Sequence, residues 1–114
     1  MEILQRNWRI NAGVTVVISS RLHAISDNGS LTIRINGPMD LLLTSALRES
    51  CHDTGATYHR YIVDFQDVGI VRDSGLALLL MLKRWANRAG AKLYVINGNS
   101  DLMRRCLSLG IRPA

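Results

Sequence analysis

Aromatic residues make up only 5% of this 114-residue chain, with one Phe, two Trp and three Tyr, and there are only two Pro and two Cys. The scarcity of rings weakens any case for nucleic-acid binding, which uses aromatic side chains interleaved with basic ones. The two cysteines, Cys51 and Cys106, are far apart and form no C-x-x-C pair. They therefore read as reduced, mostly buried thiols rather than as a redox or metal centre. His23, His52 and His59 fall in three separate stretches with no H-x-x-x-H pattern, so metal ligation is not expected. No G-x-x-x-x-G-K-[ST], G-x-G-x-x-G or G-x-S-x-G occurs, which argues against a nucleotide enzyme and a serine hydrolase.

The longest apolar run, Leu76–Leu82, is far short of the roughly 18 residues that a membrane span requires. Arg6 and Arg9 interrupt the weakly apolar N-terminus, so no signal peptide is read there. The expectation is a soluble, cytoplasmic, single-domain protein that uses no cofactor.

What the chain does have is an ordinary globular composition, 47% hydrophobic, and a formal net charge of +5. Its 14 Lys and Arg are scattered rather than run together. Such a surface suits an acidic protein partner or a membrane-proximal setting, and no direct contact with nucleic acid is expected.

Residues Gly13–Ile18 read as a strand. Arg21–Ser26 and Leu31–Ile35 read as a hairpin about the turn Asp27-Asn28-Gly29-Ser30. Asp40 follows the Asn36-Gly37-Pro38 break and is placed to cap a helix over roughly Leu41–Cys51. Asp53–Tyr58 reads as a loop, and Arg60–Phe65 as a strand buried on both faces. A helix from Ser74 or Gly75 to Ala89 ends at Gly90, and a strand at Lys92–Ile96 follows. A last helix over Asp101–Leu109 carries Leu102, Cys106 and Leu109 on its buried stripe. Strand 60–65, helix 75–89 and strand 92–96 make a βαβ unit, whose strands must be parallel. The predicted fold is α/β: a mixed sheet of about four to five strands with three helices mainly on one face. Functional residues of such sheets gather at the carboxyl ends of the parallel strands, where the loop 66–73 and Ser74 fall.

Three motifs and this order of elements resemble the STAS domain family, named for sulfate transporters and anti-sigma factor antagonists. Asn36-Gly37-Pro38-Met39-Asp40 is similar to the family's Gly-x-x-Asp loop. Ile62-Val63-Asp64-Phe65-Gln66-Asp67-Val68 is similar to its hydrophobic-Asp-hydrophobic strand ending. Asp73-Ser74-Gly75-Leu76 resembles its Asp-Ser-Ser/Thr-Gly-Leu turn, aligned on the glycine. The match spans about Leu22 to Ile111. It implies a STAS domain over residues 21–114, with 1–20 as an N-terminal extension or an extra strand.

The resemblance implies a non-enzymatic switch of the anti-sigma factor antagonist type. Its protein partners would be an anti-sigma factor that is a serine kinase, and a phosphatase, with Ser74 as the phosphoacceptor. Asp40, Asp67, Arg72, Asp73, Ser74, Gly75, Leu76 and Leu79 would form the binding surface. The chain departs from the family in having Arg72-Asp73 before the serine: the acid repels an added phosphate and the arginine offsets it. The Gly75-Leu76-Ala77-Leu78-Leu79-Leu80 helix start is also similar to MlaB-like STAS subunits, which dock on the ATPase of a membrane lipid transporter.

The residues themselves leave alternatives open. From the residues alone Ser74 reads first as an N-cap, stabilising by about 0.5–2 kcal/mol; the resemblance adds the switch, and the two roles are compatible. Asp40 reads as a cap that can also line the partner surface. Asp64 and Asp67 read as solvated strand-end acids rather than as a catalytic pair. The apolar ring at Leu76–Leu82 reads as core, with Leu76, Leu79 and Met81 as candidates for an outward patch.

Overall fold

The computed structural model describes residues 14–19, 21–52 and 58–114. The rest of the expected N-terminal extension and most of the expected loop at 53–58 lie outside these. Strands β1 (Val14–Ser19), β2 (Leu22–Asp27) and β3 (Ser30–Ile35) form an antiparallel meander. β4 (Arg60–Asp64), β5 (Lys92–Ile96) and β6 (Arg112–Pro113) then add in parallel, giving the sheet order β1-β2-β3-β4-β5-β6. The helices α1 (Thr44–His52), α2 (Asp73–Arg88) and α3 (Ser100–Ser108) make the three successive crossovers. The strand order never reverses along the parallel run, so right-handed crossovers place all three helices on one face.

Local chemistry accounts for most of these elements. Asn28 and Gly29 both take positive φ (48° and 81°), the geometry of a two-residue hairpin whose twist matches its strands. In β3 the alternation of Leu31, Ile33 and Ile35 with Thr32 and Arg34 sends the first three into the core. The register aligns Leu31 with Tyr61 and Leu93, and Ile33 with Val63 and Val95. This continuous apolar face receives Leu78, Leu79, Leu82 and Ala86 of α2, together with Leu47 of α1 and Cys106 of α3. Cys106 is a free thiol, and burial pushes its pKa up, which keeps it unreactive. Asn99 caps α3 by accepting a hydrogen bond from the Leu102 N–H at 2.8 Å.

Several expectations change. The helix expected from residue 41 divides into a 3-10 turn, Leu41–Leu43, and α1. Asp40 does cap the turn, accepting from the Leu42 N–H at 3.0 Å. A two-residue sixth strand, β6, closes the parallel edge. The apolar half of α2 is not apolar on all sides in its packing. Leu79 is completely buried, so it cannot contact a partner, and the outward leucine is Leu80, 38% exposed. Leu76 and Met81 are partly buried against the core.

Truncating Leu79 tests its reassignment. Leu79→Ala removes a fully buried side chain and is expected to lower unfolding stability by about 2–5 kcal/mol, read from urea midpoints at constant m-value.

Candidate functional site: the loops around Ser74

Two loops leave the carboxyl ends of β3 and β4 and run side by side. The Gly37 N–H donates to the Asp67 carbonyl (3.0 Å), the Met39 N–H to that of Ile70 (2.8 Å) and the Arg72 N–H to that of Met39 (3.3 Å). Met39 and Val71 form a parallel bridge between them. Arg21 braces the first loop, donating to the Asn36 and Pro38 carbonyls and lying 3.8 Å from the Asp40 carboxylate. Gly75 seals the second loop against the first. A Cβ there would lie 2.4 Å from the Met39 carbonyl oxygen, so any side chain would push α2 off the loop.

Tethering at Arg72 decides where α2 begins. Arg72, with extended backbone (φ −83°, ψ 171°), is the N-cap residue, and its carbonyl accepts from the Gly75 and Leu76 N–H groups at 2.8 and 3.1 Å. Ser74 is therefore the second helical residue and not the cap that its type suggested. Arg72 makes no side-chain cap bond. Asp73 opens the helix, where its charge is favourable against the helix dipole. Arg72 and Asp73 are exposed, and Ser74 and Leu76 are half-buried.

Beneath the loops lies the Asp64 carboxylate, expected in solvent but only 3% exposed. It accepts from Asn97 Nδ2 (2.9 Å), the Gln66 N–H (2.9 Å) and Arg34 Nε and Nη2 (3.3 and 3.2 Å). Burial alone would raise its pKa. The hydrogen bonds from Asn97, the Gln66 N–H and Arg34 outweigh burial and hold it below the usual carboxylate value. All of its contacts stabilise the ionised form, so it is a structural anion rather than an acid or base. Asp67 is exposed and lines a cleft of about 290 Å³ with His23, Ile25, Arg34 and Asn36. Among the described residues no three His, Cys, Asp or Glu side chains gather as metal ligands. No helix among them is long and apolar enough to cross a membrane.

The structure thus brings Asp40 and Arg72, on two joined loops, together with Asp73, Ser74, Gly75 and Leu76 in the first turn of α2, with Asp67 at the start of the second loop. It adds three residues that sequence reading missed: Leu41, Leu42 and Ile70, exposed by 59, 83 and 57%. Leu41 and Leu42 follow Asp40 directly, and Ile70 bonds through its carbonyl to Met39, so all three belong to the joined loops. The one sequence signal was the Leu41-Leu42-Leu43 run, since a single 3-10 turn buries only one of three successive side chains; that one is Leu43.

No family model matches the sequence. Comparison of folds is decisive. The anti-sigma factor antagonist SpoIIAA, in its unphosphorylated form, superposes with a TM-score of 0.66 over 82% of this chain and 86% of its own, at 18% identity. The chain has the STAS fold. A sulfate transporter family protein from Wolinella succinogenes aligns with a TM-score of 0.62 over 72% of this chain and 67% of its own, also at 18% identity. In sequence, a STAS-domain containing protein of Pseudomonas aeruginosa is 27% identical over 79 residues, 69% of this chain and 78% of that protein. On this STAS fold the joined loops and the start of α2 form the end of the domain at which the parallel strands finish.

Removing the buried carboxylate tests its role. Asp64→Ala is expected to cost about 2–3 kcal/mol at pH 7, because Arg34 and Asn97 lose a charged acceptor. The folded pKa lies below the unfolded one, so this stabilisation is complete above about pH 4 and is lost as pH falls through the folded pKa. Urea unfolding of both proteins should show the gap between them shrinking over that acid range.

Proposed function

We propose that this STAS domain is a non-catalytic, reversible protein-binding switch of the anti-sigma factor antagonist kind. Unmodified, the surface around Ser74 docks on an anti-sigma factor that is also a serine kinase. Phosphorylation of Ser74 releases that partner, and a phosphatase restores binding. The observation that supports this reading most is the pairing of a half-buried hydroxyl at the start of α2 with three exposed apolar side chains, Leu41, Leu42 and Ile70, on the same two loops. Exposed apolar side chains with charged residues close by in the chain, here Asp40, Arg72 and Asp73, are the anatomy of a docking surface. Bonded loops reduce the ordering cost of binding. The fold neighbour SpoIIAA, whose structures include both unphosphorylated and phosphorylated forms, supports the same reading.

The switch would act through charge. A phosphoserine adds about −1.5 to −2 charge, and desolvating that charge inside an apolar contact costs several kcal/mol. Transport is the second reading: an MlaB-like STAS subunit docking on the ATPase of a membrane lipid transporter. The likeness to a sulfate transporter family protein favours a place in membrane transport.

Affinity capture from the cells that make this protein, with mass spectrometry, separates the readings. The expected result is capture of a serine kinase by the unmodified chain and by Ser74→Ala, with at least about a tenfold loss for Ser74→Asp, equivalent to about 1.4 kcal/mol. Leu42→Asp should abolish capture without lowering the melting temperature. Capture of a transporter ATPase that is indifferent to Ser74→Asp would overturn the switch in favour of the second reading.

A further inference from the structure

The positive charge of this protein is unevenly placed. Residues 83–114 carry seven Lys and Arg against one carboxylate, Asp101, whereas residues 1–82 carry seven against eight. Arg104 and Arg105 are both paired with Asp101 on α3. Three of the others converge. Lys83, Lys92 and Arg112 line a cleft of about 400 Å³ together with Asn87, Tyr94 and Gly110, and no acidic residue lines it.

The cleft follows from how the sheet ends. β6 pairs with Tyr94 and Val95, and only the first residues of β5, Lys92 and Leu93, project past its end. One wall is the polar second half of α2. There Lys83 Nζ donates to the Leu109 carbonyl at 3.1 Å, which holds the ammonium in place. Gly110, at φ +80°, permits this: a Cβ would lie 2.5 Å from Lys83 Nζ. The other wall is Arg112. Among the described residues no carboxylate pairs with Lys92 or Arg112. Arg60, register partner of Lys92 on β4, adds a further cation. Its guanidinium lies over the Tyr94 ring at 5.3 Å, and its buried Nε has no hydrogen-bond partner.

A lysine on an edge strand is a common defence against unwanted pairing. Three cations around one cleft do something more selective. They repel basic segments and attract a segment that carries carboxylates. A concave site a few residues long suits a peptide better than a flat membrane, and one ring, Tyr94, gives little for stacked bases.

We propose that this cleft is a second docking site, which binds an acidic segment of a partner protein through the carboxylates of that segment. It lies at the starts of β4 and β5, the opposite end of the sheet from Ser74, and does not depend on the function assigned to that serine.

The test uses the full chain and a fluorescein-labelled (Glu-Thr)6 peptide, whose six closely spaced glutamates supply the carboxylates. Anisotropy should show saturable binding that weakens as salt rises. The variant Lys83→Gln/Lys92→Gln/Arg112→Gln should weaken it at least about tenfold. The control Arg48→Gln/Arg104→Gln/Arg105→Gln, with the same change in net charge, should change it less than about twofold, as should Ser74→Asp. Circular dichroism melting confirms that each variant is folded. Equal weakening by the control would overturn the proposal, because net charge alone would explain it. So would tighter cleft-dependent binding of phosphatidylglycerol vesicles or of oligo-dT than of the peptide, or no binding of the peptide at low salt.

Discussion

A buried carboxylate that lacked donors would cost several kcal/mol, so the position of Asp64 constrains everything that must supply them. Arg34 reaches it from β3, Asn97 from just beyond β5, and the Gln66 N–H from the loop that follows β4 itself. Three chain segments are thereby held at one level, at the carboxyl ends of three adjacent parallel strands. The loop after β4 must leave from that level and lies against the 36–40 loop, where the Met39–Val71 bridge and the Arg72–Met39 hydrogen bond fix its path. Gly75 then lets α2 start in contact with the Met39 backbone. The place of Ser74 is the last step of this chain of contacts, not a local property of its own turn.

That dependence explains what could be read from the sequence. The hairpin at Asn28-Gly29, the alternation in β3 and the cap at Asp40 were legible because each is encoded within a few residues, and the βαβ unit because its strands and helix follow one another in the chain. Asp64 was read as solvated because its partners are 30 and 33 residues away in sequence, and only the parallel register brings them together. Ser74 has the residue type of a cap, yet a tertiary hydrogen bond one residue pair earlier moved the helix start to Asp73. The run Leu76–Leu82 has no periodicity, so its phase was invisible until the sheet selected Leu78, Leu79 and Leu82 and left Leu80 outside. β6 is two residues long, too short for any pattern.

The location of a phosphate at Ser74 bears on how the proposed switch would work. The start of a helix stabilises an anion by about 0.3–1 kcal/mol when exposed, and Arg72 adds attraction where Asp73 adds repulsion. These contributions are small and of mixed sign, so modification would leave the stability of the free domain nearly unchanged. Its effect falls on the bound state, in which the partner strips water from the new charge. A switch built this way alters affinity without unfolding anything. It needs a rigid platform, and the bonded loops and the Asp64 network supply one.

The two proposed surfaces are also separable on physical grounds. Arg60 and Asp64, at the two ends of β4, are about 13 Å apart by strand geometry, and Ser74 lies beyond Asp64 along the chain. The Debye length at physiological ionic strength is about 8 Å. A phosphate at one end of the sheet is therefore screened from Lys83, Lys92 and Arg112 at the other, and charge alone does not couple the sites. Any coupling would have to be mechanical and pass through β4 and β5, which Asp64 ties together through Asn97. That network puts four hydrogen bonds on one buried carboxylate, so it holds the two ends in fixed relation. On this account the two proposed surfaces would act independently, one reversibly at the serine and one electrostatically in the cleft at the start of β5.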